Sequence, residues 1–96
     1  MIIELSYKDE ERIKILKALA DPVRLEIIRL LKTKDEVMGC SEVREHIDLS
    51  KSTISYHLKT LREAGLTRTR KESREKFVSL QVEQFNKYLP GFLESL

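Results

Sequence analysis

One segment constrains the fold more than any other, because it carries both the start and the stop signal of a long amphipathic helix. It reads "SKSTISYHLKTLREAG". The segment begins with a serine, a common N-cap, and ends with a glycine, the residue that usually ends a helix. Its apolar residues are spaced four and three apart, which places them on one helical face: Ile54, Leu58 and Leu61. We predict a helix over residues 51–64 with a polar outer face.

Three more helices are predicted before this one. "KDEERIKILKALA" has helical apolar spacing with acids at its start, which indicates a helix over about 8–20. In "DPVRLEIIRLLKTK" an N-cap aspartate precedes a proline at the first helical position, which indicates a second helix over about 21–34. "SEVREHI" predicts a third over about 41–47. The third and fourth helices, joined by a tight turn, form a helix-turn-helix arrangement.

The hydrophobic period changes after the long helix. "LTRTRKESREKFVSLQ" alternates, so we predict a β-hairpin over residues 66–81. Its turn lacks Asn-Gly and Asp-Gly, which favours a loop longer than two residues. The apolar tail "VEQFNKYLPGFLESL" predicts a C-terminal helix over about 83–95 that Pro90 and Gly91 would kink or split.

This order of elements predicts a mainly α fold with a small β-hairpin, an α+β winged helix-turn-helix, in one domain spanning residues 1–96. In that geometry the long helix enters the major groove of DNA with its N-terminal residues at the base edges. Hydroxyl and ammonium groups can bind base edges or phosphates. The residues that this geometry turns toward DNA are Ser50, Lys51, Ser52, Thr53, Ser55, Tyr56 and Lys59.

The charge is distributed unevenly along the chain. The formal net charge is only +2, but residues 1–48 hold nine basic and eleven acidic residues, whereas residues 49–96 hold nine and five. Residues 50–76 alone hold eight basic and three acidic residues. A concentrated basic patch attracts a polyanion, because each neutralised phosphate releases condensed counterions. The charge pattern therefore also favours double-stranded DNA as the partner.

Composition argues against several other classes of protein. No run approaches the roughly 18 apolar residues of a membrane span, and the N-terminus lacks the pattern of a secretory signal, so we expect a cytoplasmic protein without a membrane partner. The chain has no glycine-rich phosphate loop and no evident activated nucleophile, which argues against an enzyme. One cysteine and two histidines supply too few ligands for a typical transition-metal site, so we expect no metal and no cofactor.

Two stretches together resemble one known family. "KALADPVRLEIIRLLK" and "LSKSTISYHLKTLREAGL", followed by a basic hairpin ending in "FVSL", resemble the ArsR/SmtB-type winged helix-turn-helix repressors over residues 13–80. The resemblance implies a homodimer that binds an imperfect inverted repeat and is released by an inducer. It places groove-reading residues at Lys51, Ser52, Ser55 and Tyr56, and wing contacts at Arg70 and Arg74.

The resemblance also implies that the first and last helices form the dimer interface. A chain of 96 residues buries a smaller share of its surface than a larger domain does, so stabilisation by a partner subunit is expected on size alone. The apolar tail supplies a surface for it. The predicted interface residues are Ile13, Leu16, Phe85, Leu89, Phe92 and Leu93.

Some features depart from the family pattern and leave alternatives open. The Cys-x-Cys pair and the C-terminal ligands of metal-sensing members are missing, and Arg44 stands where helix-turn-helix units often carry alanine. A metal-responsive repressor with an atypical site and a winged-helix module that binds proteins remain alternatives. The release signal could be a small-molecule inducer or oxidation of Cys40, which otherwise is a small buried hydrophobe. His57 either packs against a neighbouring helix or contacts phosphate.

Overall fold

The computed structural model describes residues 6–96 as a winged helix-turn-helix. Its class is the mainly helical α+β class that the sequence predicts. A single turn of 3-10 helix closes the chain at Leu93–Ser95. The other elements, in chain order, are α1 Tyr7–Leu19, α2 Pro22–Thr33, β1 Val37–Gly39, α3 Cys40–His46, α4 Lys51–Glu63, β2 Thr67–Glu72, β3 Glu75–Leu80 and α5 Val82–Tyr88.

Side-chain caps set where α2 and α4 begin. The Asp21 carboxylate accepts hydrogen bonds from the backbone N–H groups of Val23 at 2.8 Å and Arg24 at 3.1 Å. The Ser50 hydroxyl accepts one from the N–H of Thr53 at 3.2 Å. The first N–H groups of a helix have no partner within the helix, so each cap supplies one. Both helices therefore start at the caps that the sequence indicates.

Helix α3 is capped by a residue from the hairpin. Its N-cap position is Gly39, which has no side chain to accept a hydrogen bond. Glu75, at the start of β3, takes that role: its Oε1 accepts from the Ser41 hydroxyl at 2.8 Å and from the Ser41 N–H at 3.4 Å. A Cβ atom at Gly39 would lie only 2.8 Å from the same oxygen. A larger residue at position 39 would therefore displace the end of the Glu75 side chain and disturb its contact with Ser41.

The hairpin belongs to a three-stranded antiparallel sheet in the order β1-β3-β2. The sequence analysis does not find β1, which has three residues and pairs Met38 with Val78. The loop between β2 and β3 consists of Ser73 and Arg74 alone, so the prediction of a longer loop is wrong. Ser73 has a φ of +54° and takes the left-handed conformation that asparagine or glycine usually supplies in such turns.

The C-terminal segment, predicted as a kinked or split helix over about 83–95, consists of two short helical pieces. Helix α5 ends at Tyr88, and Leu89 leaves the helical region with φ −135° and ψ 63°. The ring of Pro90 disfavours helical geometry at the residue before it. Gly91 then adopts a φ of +85°, which reverses the chain before the 3-10 turn. The segment is therefore split into two short pieces at the residues that the sequence analysis singled out.

Two residues predicted for the dimer interface lie in the core of the single chain. Phe85 is fully buried and Leu93 is 6% exposed. Phe85 stacks on Phe92, with ring centroids 6.0 Å apart and planes 10° from parallel. An apolar face packs on whatever surface is nearest, and here most of the tail packs on its own chain. Assigning Phe85 and Leu93 to a contact with a second subunit is therefore corrected.

Helix α1 carries apolar residues on two faces. Ile15, Ala18 and Leu19 are buried in the core. On the opposite side Ile13 is 38% exposed and Leu16 is 47% exposed. Of the remaining tail residues predicted for the interface, Leu89 and Phe92 are half-buried against the core. The outer face of α1 is thus the part of the predicted interface that remains open.

Candidate nucleic-acid interface

Helix α4 divides into a packed face and a free face. Ile54, Leu58 and Leu61 are buried and anchor the helix to the domain. Tyr56 is 60% exposed and is the one large apolar or aromatic side chain of α4 that is exposed. The other exposed polar side chains of the free face are Lys51, Ser52, Ser55 and Lys59. The structure therefore places these five predicted residues together on one open surface.

Two of the residues predicted to contact DNA, Ser50 and Thr53, form hydrogen bonds with each other at the start of α4. The Ser50 hydroxyl lies 2.8 Å from Oγ1 of Thr53 and 3.3 Å from Oγ of Ser52, in addition to its capping bond. Thr53 is only half-exposed. These hydroxyls form a small hydrogen-bonded cluster that holds the first turn of α4. Ser50 and Thr53 therefore position the first turn as well as lying at its surface.

A buried network fixes the orientation of α4. The side chain of His57 is 8% exposed, and its Nδ1 lies 3.1 Å from Nη1 of Arg24. The Nε of Arg24 donates to the carbonyl of Ala18 at 2.6 Å, and Asp21 Oδ1 lies 4.0 Å from Nδ1 of His57. Of the two interpretations of His57, the structure supports packing against a neighbouring helix, since its ring is turned inward.

Arg24 is a functional residue that the sequence analysis does not identify. It joins the end of α1 to α4 through Ala18 and His57. Its N–H and that of Val23 donate to Asp21. The pKa of Asp21 is lowered from its ordinary value, chiefly by the hydrogen bond from the Arg24 N–H. The segment "DPVR" contained the signal, since a capping aspartate precedes an arginine three residues later.

The two wing arginines predicted to contact DNA have different surroundings. Arg70, on β2, pairs with the Glu72 carboxylate at 3.2 Å, so part of its charge is neutralised. Arg74 lies in the two-residue loop and has no carboxylate within 4.0 Å among residues 6–96. Both side chains are exposed. Arg74 is therefore the more available cation at the tip of the wing.

An open cleft of about 210 Å³ separates α4 from α3 and the wing. Lys51 and Ser55 line it from α4, and Arg74 lines it from the loop of the wing. The cleft thus brings predicted contacts from both elements to one place. Its other lining residues are Cys40, Ser41, Arg44, Ile54, Leu58, Glu75 and Lys76.

The thiol of Cys40 lies in the wall of this cleft. Burial raises the pKa of the Cys40 thiol, and the positive charges of Arg44 and Lys76 offset this only in part. Thiolate is the reactive form of cysteine, so a raised pKa keeps the thiol less reactive at neutral pH. The environment favours the interpretation of Cys40 as a small hydrophobe over that of a redox switch.

Within residues 6–96, no helix combines the length and apolar character that a membrane crossing requires. The same part of the chain brings no three His, Cys, Asp or Glu side chains close enough together to hold a metal ion.

Comparison with known proteins gives consistent matches. Residues 19–70, more than half of the chain, match the family described as a helix-turn-helix domain. The chain is 56% identical over 88 residues to the HTH-type transcriptional regulator YceK of Bacillus subtilis, covering 92% of this chain and 88% of the relative. It is 40% identical over 79 residues to the arsenical resistance operon repressor of Staphylococcus xylosus, covering 82% and 72%. The chain is an ArsR-type winged helix-turn-helix regulator of transcription.

A solved structure of a similar regulator has the same fold. HlyU from Vibrio cholerae N16961 superposes with a TM-score of 0.78 at 30% identity, covering 95% of this chain and 92% of that one. HlyU of this species is named a transcriptional activator. These relatives are regulators of transcription, and the ArsR-type chain described here is likewise a DNA-binding regulator and not an enzyme.

Proposed function

We propose that this ArsR-type regulator is a homodimeric repressor that binds an imperfect inverted repeat through α4 and the wing. One observation carries the proposal: the polar face of α4 is open and shares a cleft with the loop of the wing. Lys51, Ser52, Ser55 and Tyr56 would read base edges in the major groove. The residues that would support them from the backbone side are Ser50, Thr53, Lys59, Arg70 and Arg74.

The proposed dimer uses the open apolar face of α1. Ile13 and Leu16 stand three residues apart and Ala20 follows four later, so the three exposed residues form one stripe. The half-buried Leu89 and Phe92 supply the second part of the proposed interface. A two-fold dimer would present two copies of α4 to successive major grooves, and for that reason the proposed operator is an inverted repeat.

The proposed release signal is a small organic inducer and not a metal. Relatives with 40% and 36% identity are named for arsenical and cadmium resistance, which keeps a metal-responsive repressor as the alternative. This chain has a single cysteine, and three or four ligands are needed to hold a soft metal tightly. Oxidation of Cys40 would meet a thiol whose pKa is raised by burial. As a regulator that binds DNA, the protein would act in the cytoplasm.

The proposal is tested with a duplex selected by the protein from a random library and an unselected duplex as reference. Tyr56→Ala and Ser55→Ala should each lower the ratio of the two affinities about fivefold to 100-fold, since a lost base contact costs about 1–3 kcal/mol of discrimination. The matched control is Tyr7→Ala, because Tyr7 is a 70% exposed tyrosine on α1, outside α4 and the wing.

Two outcomes would contradict this assignment. Equal losses on both duplexes would show that Tyr56 and Ser55 position the backbone and do not read bases. A flat plot of log K against log salt for the wild type would remove DNA as the partner and favour a protein-binding module.

A further inference from the structure

The cleft between α3, α4 and the wing contains four cationic side chains from three elements. Arg44 comes from α3 and Lys51 from α4, while the wing contributes two more. A neighbouring cavity of about 260 Å³ shares Cys40 and Lys76 with the cleft and adds the cations Lys59 and Arg62 from α4. The four cations of the cleft itself are Arg44, Lys51, Arg74 and Lys76.

These four cations have no ion-pair partner within the described part of the chain. Among residues 6–96, no carboxylate lies within 4.0 Å of any of them, whereas Arg12 and Arg70 pair with carboxylates at 2.8 Å and 3.2 Å. One acidic residue, Glu75, lines the cleft, and its Oε1 accepts two hydrogen bonds from Ser41. The cleft therefore holds four positive charges and one negative charge, and this positive excess favours binding of an anion.

The position of Arg44 identifies the kind of anion. Arg44 lies on α3, the first helix of the helix-turn-helix unit, and in DNA complexes of this unit the first helix crosses the sugar-phosphate backbone. The planar guanidinium of arginine binds phosphate through two parallel hydrogen bonds, and lysine adds a point charge. Arg44 and Lys76 line the cleft from α3 and β3, and Lys51 and Ser55 of α4 line the same cleft.

We infer that this cleft holds one phosphate of the DNA backbone, bound by Arg44 and Lys76 together. The inference rests on the proposed function and adds two residues to the contacts predicted from the sequence. The phosphate would sit between the recognition helix and the wing, so one contact would fix both elements on the duplex. Arg74, in the loop of the wing, would face a neighbouring phosphate.

The test measures the salt dependence of binding to a 30-base-pair duplex of random sequence. Arg44→Ala should weaken binding about tenfold at fixed salt and reduce the magnitude of the salt slope, by less than the value of about 0.9 for one whole neutralised phosphate, because Lys76 remains. Arg44→Lys keeps the charge and should keep the slope. The control is Arg29→Ala, because Arg29 lies on α2, which contributes no residue to the cleft, and pairs with Glu26. Thermal unfolding of each variant confirms that it folds.

The double variant Arg44→Ala with Lys76→Ala decides whether the two side chains share a phosphate. If they do, the side chain left in each single variant still neutralises part of that phosphate, so each single variant loses less than 0.9 of slope and the double variant loses about 0.9 in total. If each binds its own phosphate, each single variant loses about 0.9 and the double variant about 1.8, which would overturn the shared site. An unchanged slope in the double variant would overturn the inference altogether.

Two further results would point to explanations other than a shared phosphate of the DNA backbone. A wild type without salt-dependent binding would contradict the proposed function itself, and this shows before any variant is made. Inorganic phosphate is tested separately in the absence of DNA, at constant ionic strength. If phosphate raises the thermal midpoint of the wild type but not of Arg44→Ala, and the DNA slope of Arg44→Ala is unchanged, the cleft binds a free anion and the DNA assignment is wrong.

Discussion

At the scale of single residues, Asp21 shows how a carboxylate away from the free face of α4 supports that face. It caps α2 through the N–H groups of Val23 and Arg24, and its carboxylate lies 4.0 Å from the imidazole of His57 on α4. Removing its charge therefore acts on the contact between α2 and α4. The pKa of Asp21 is lowered by these hydrogen bonds, so part of the folding free energy depends on pH.

Asp21→Asn separates the cap from the charge. A lowered pKa means that the contribution is complete above the ordinary value of 3.8 and is lost as the pH falls through the folded-state value. Asparagine caps helices about as well as aspartate. We expect similar free energies of unfolding for the two proteins at pH 7, and a smaller loss for Asp21→Asn as the pH falls below 3.8.

Urea unfolding at several pH values measures this difference. The control is Asp48→Asn, which makes the same chemical change at an exposed turn position. Parallel loss of stability with acid in the wild type and Asp21→Asn would show that the capping carboxylate does not contribute to the acid sensitivity of the fold.

At the scale of secondary-structure elements, the wing is attached to α3 by Glu75. Glu75→Ala removes the two hydrogen bonds to Ser41 and should lower the free energy of unfolding by about 1 kcal/mol, as loss of a helix cap does. It should also weaken DNA binding, because one of the links between the wing and α3 is lost while the pairing of β3 with β1 remains. Glu75→Gln keeps an acceptor oxygen and removes only the charge, so it should bind DNA at least as tightly as the wild type.

Unfolding in urea and titration of a duplex at fixed salt give the two quantities. Electrostatics alone predicts the opposite result for Glu75→Ala, since removal of an acidic residue from a basic cleft should strengthen binding to a polyanion. Tighter binding by both variants would therefore contradict the role of Glu75 in holding the wing.

The sequence predicted elements well where local chemistry decides them. Ser50 and Asp21 mark helix starts because their side chains satisfy N–H groups of the next few residues. The loop of the hairpin was missed because Ser73 takes a positive φ without the usual glycine. The cap of α3 was missed because Glu75 is distant in sequence from Ser41, and only the tertiary fold brings them together.

At the scale of the whole molecule, the proposed dimer predicts different effects for substitutions at the surface and in the core. Leu16→Asp places a charge on the exposed face of α1 and should yield folded monomers, because a charge in an apolar interface loses its hydration. Leu93→Asp makes the same change at a side chain that is 6% exposed, so it should lower the thermal midpoint of the chain itself.

Light scattering gives the mass and calorimetry gives the thermal midpoint of each variant. A dimer that persists in Leu16→Asp would move the contact away from α1. Leu93→Asp serves as the comparison, because its loss of stability marks a core position and not a surface one.

Apolar patterning predicted which residues avoid water and left open which surface covers them. Phe85 and Ile13 both belong to amphipathic segments, yet Phe85 is buried within its own chain and Ile13 is 38% exposed. Only three-dimensional packing separates the two cases. The polar face of α4 was predictable because its apolar residues fix the rotation of the helix. Arg44 was visible in the sequence as a departure from the usual alanine, but its convergence with Lys76 requires the fold.

Strand β2 lies at the edge of the sheet, since β3 pairs with β1 and β2 on its two sides. An open edge of regular backbone can recruit strands from other molecules, and charged side chains discourage this. Arg68, Arg70 and Lys71 supply such charges along β2. The basic side chains of β2 thus favour solubility as well as contact with nucleic acid. A variant in which they are neutral would lose this protection against self-association in crowded cells.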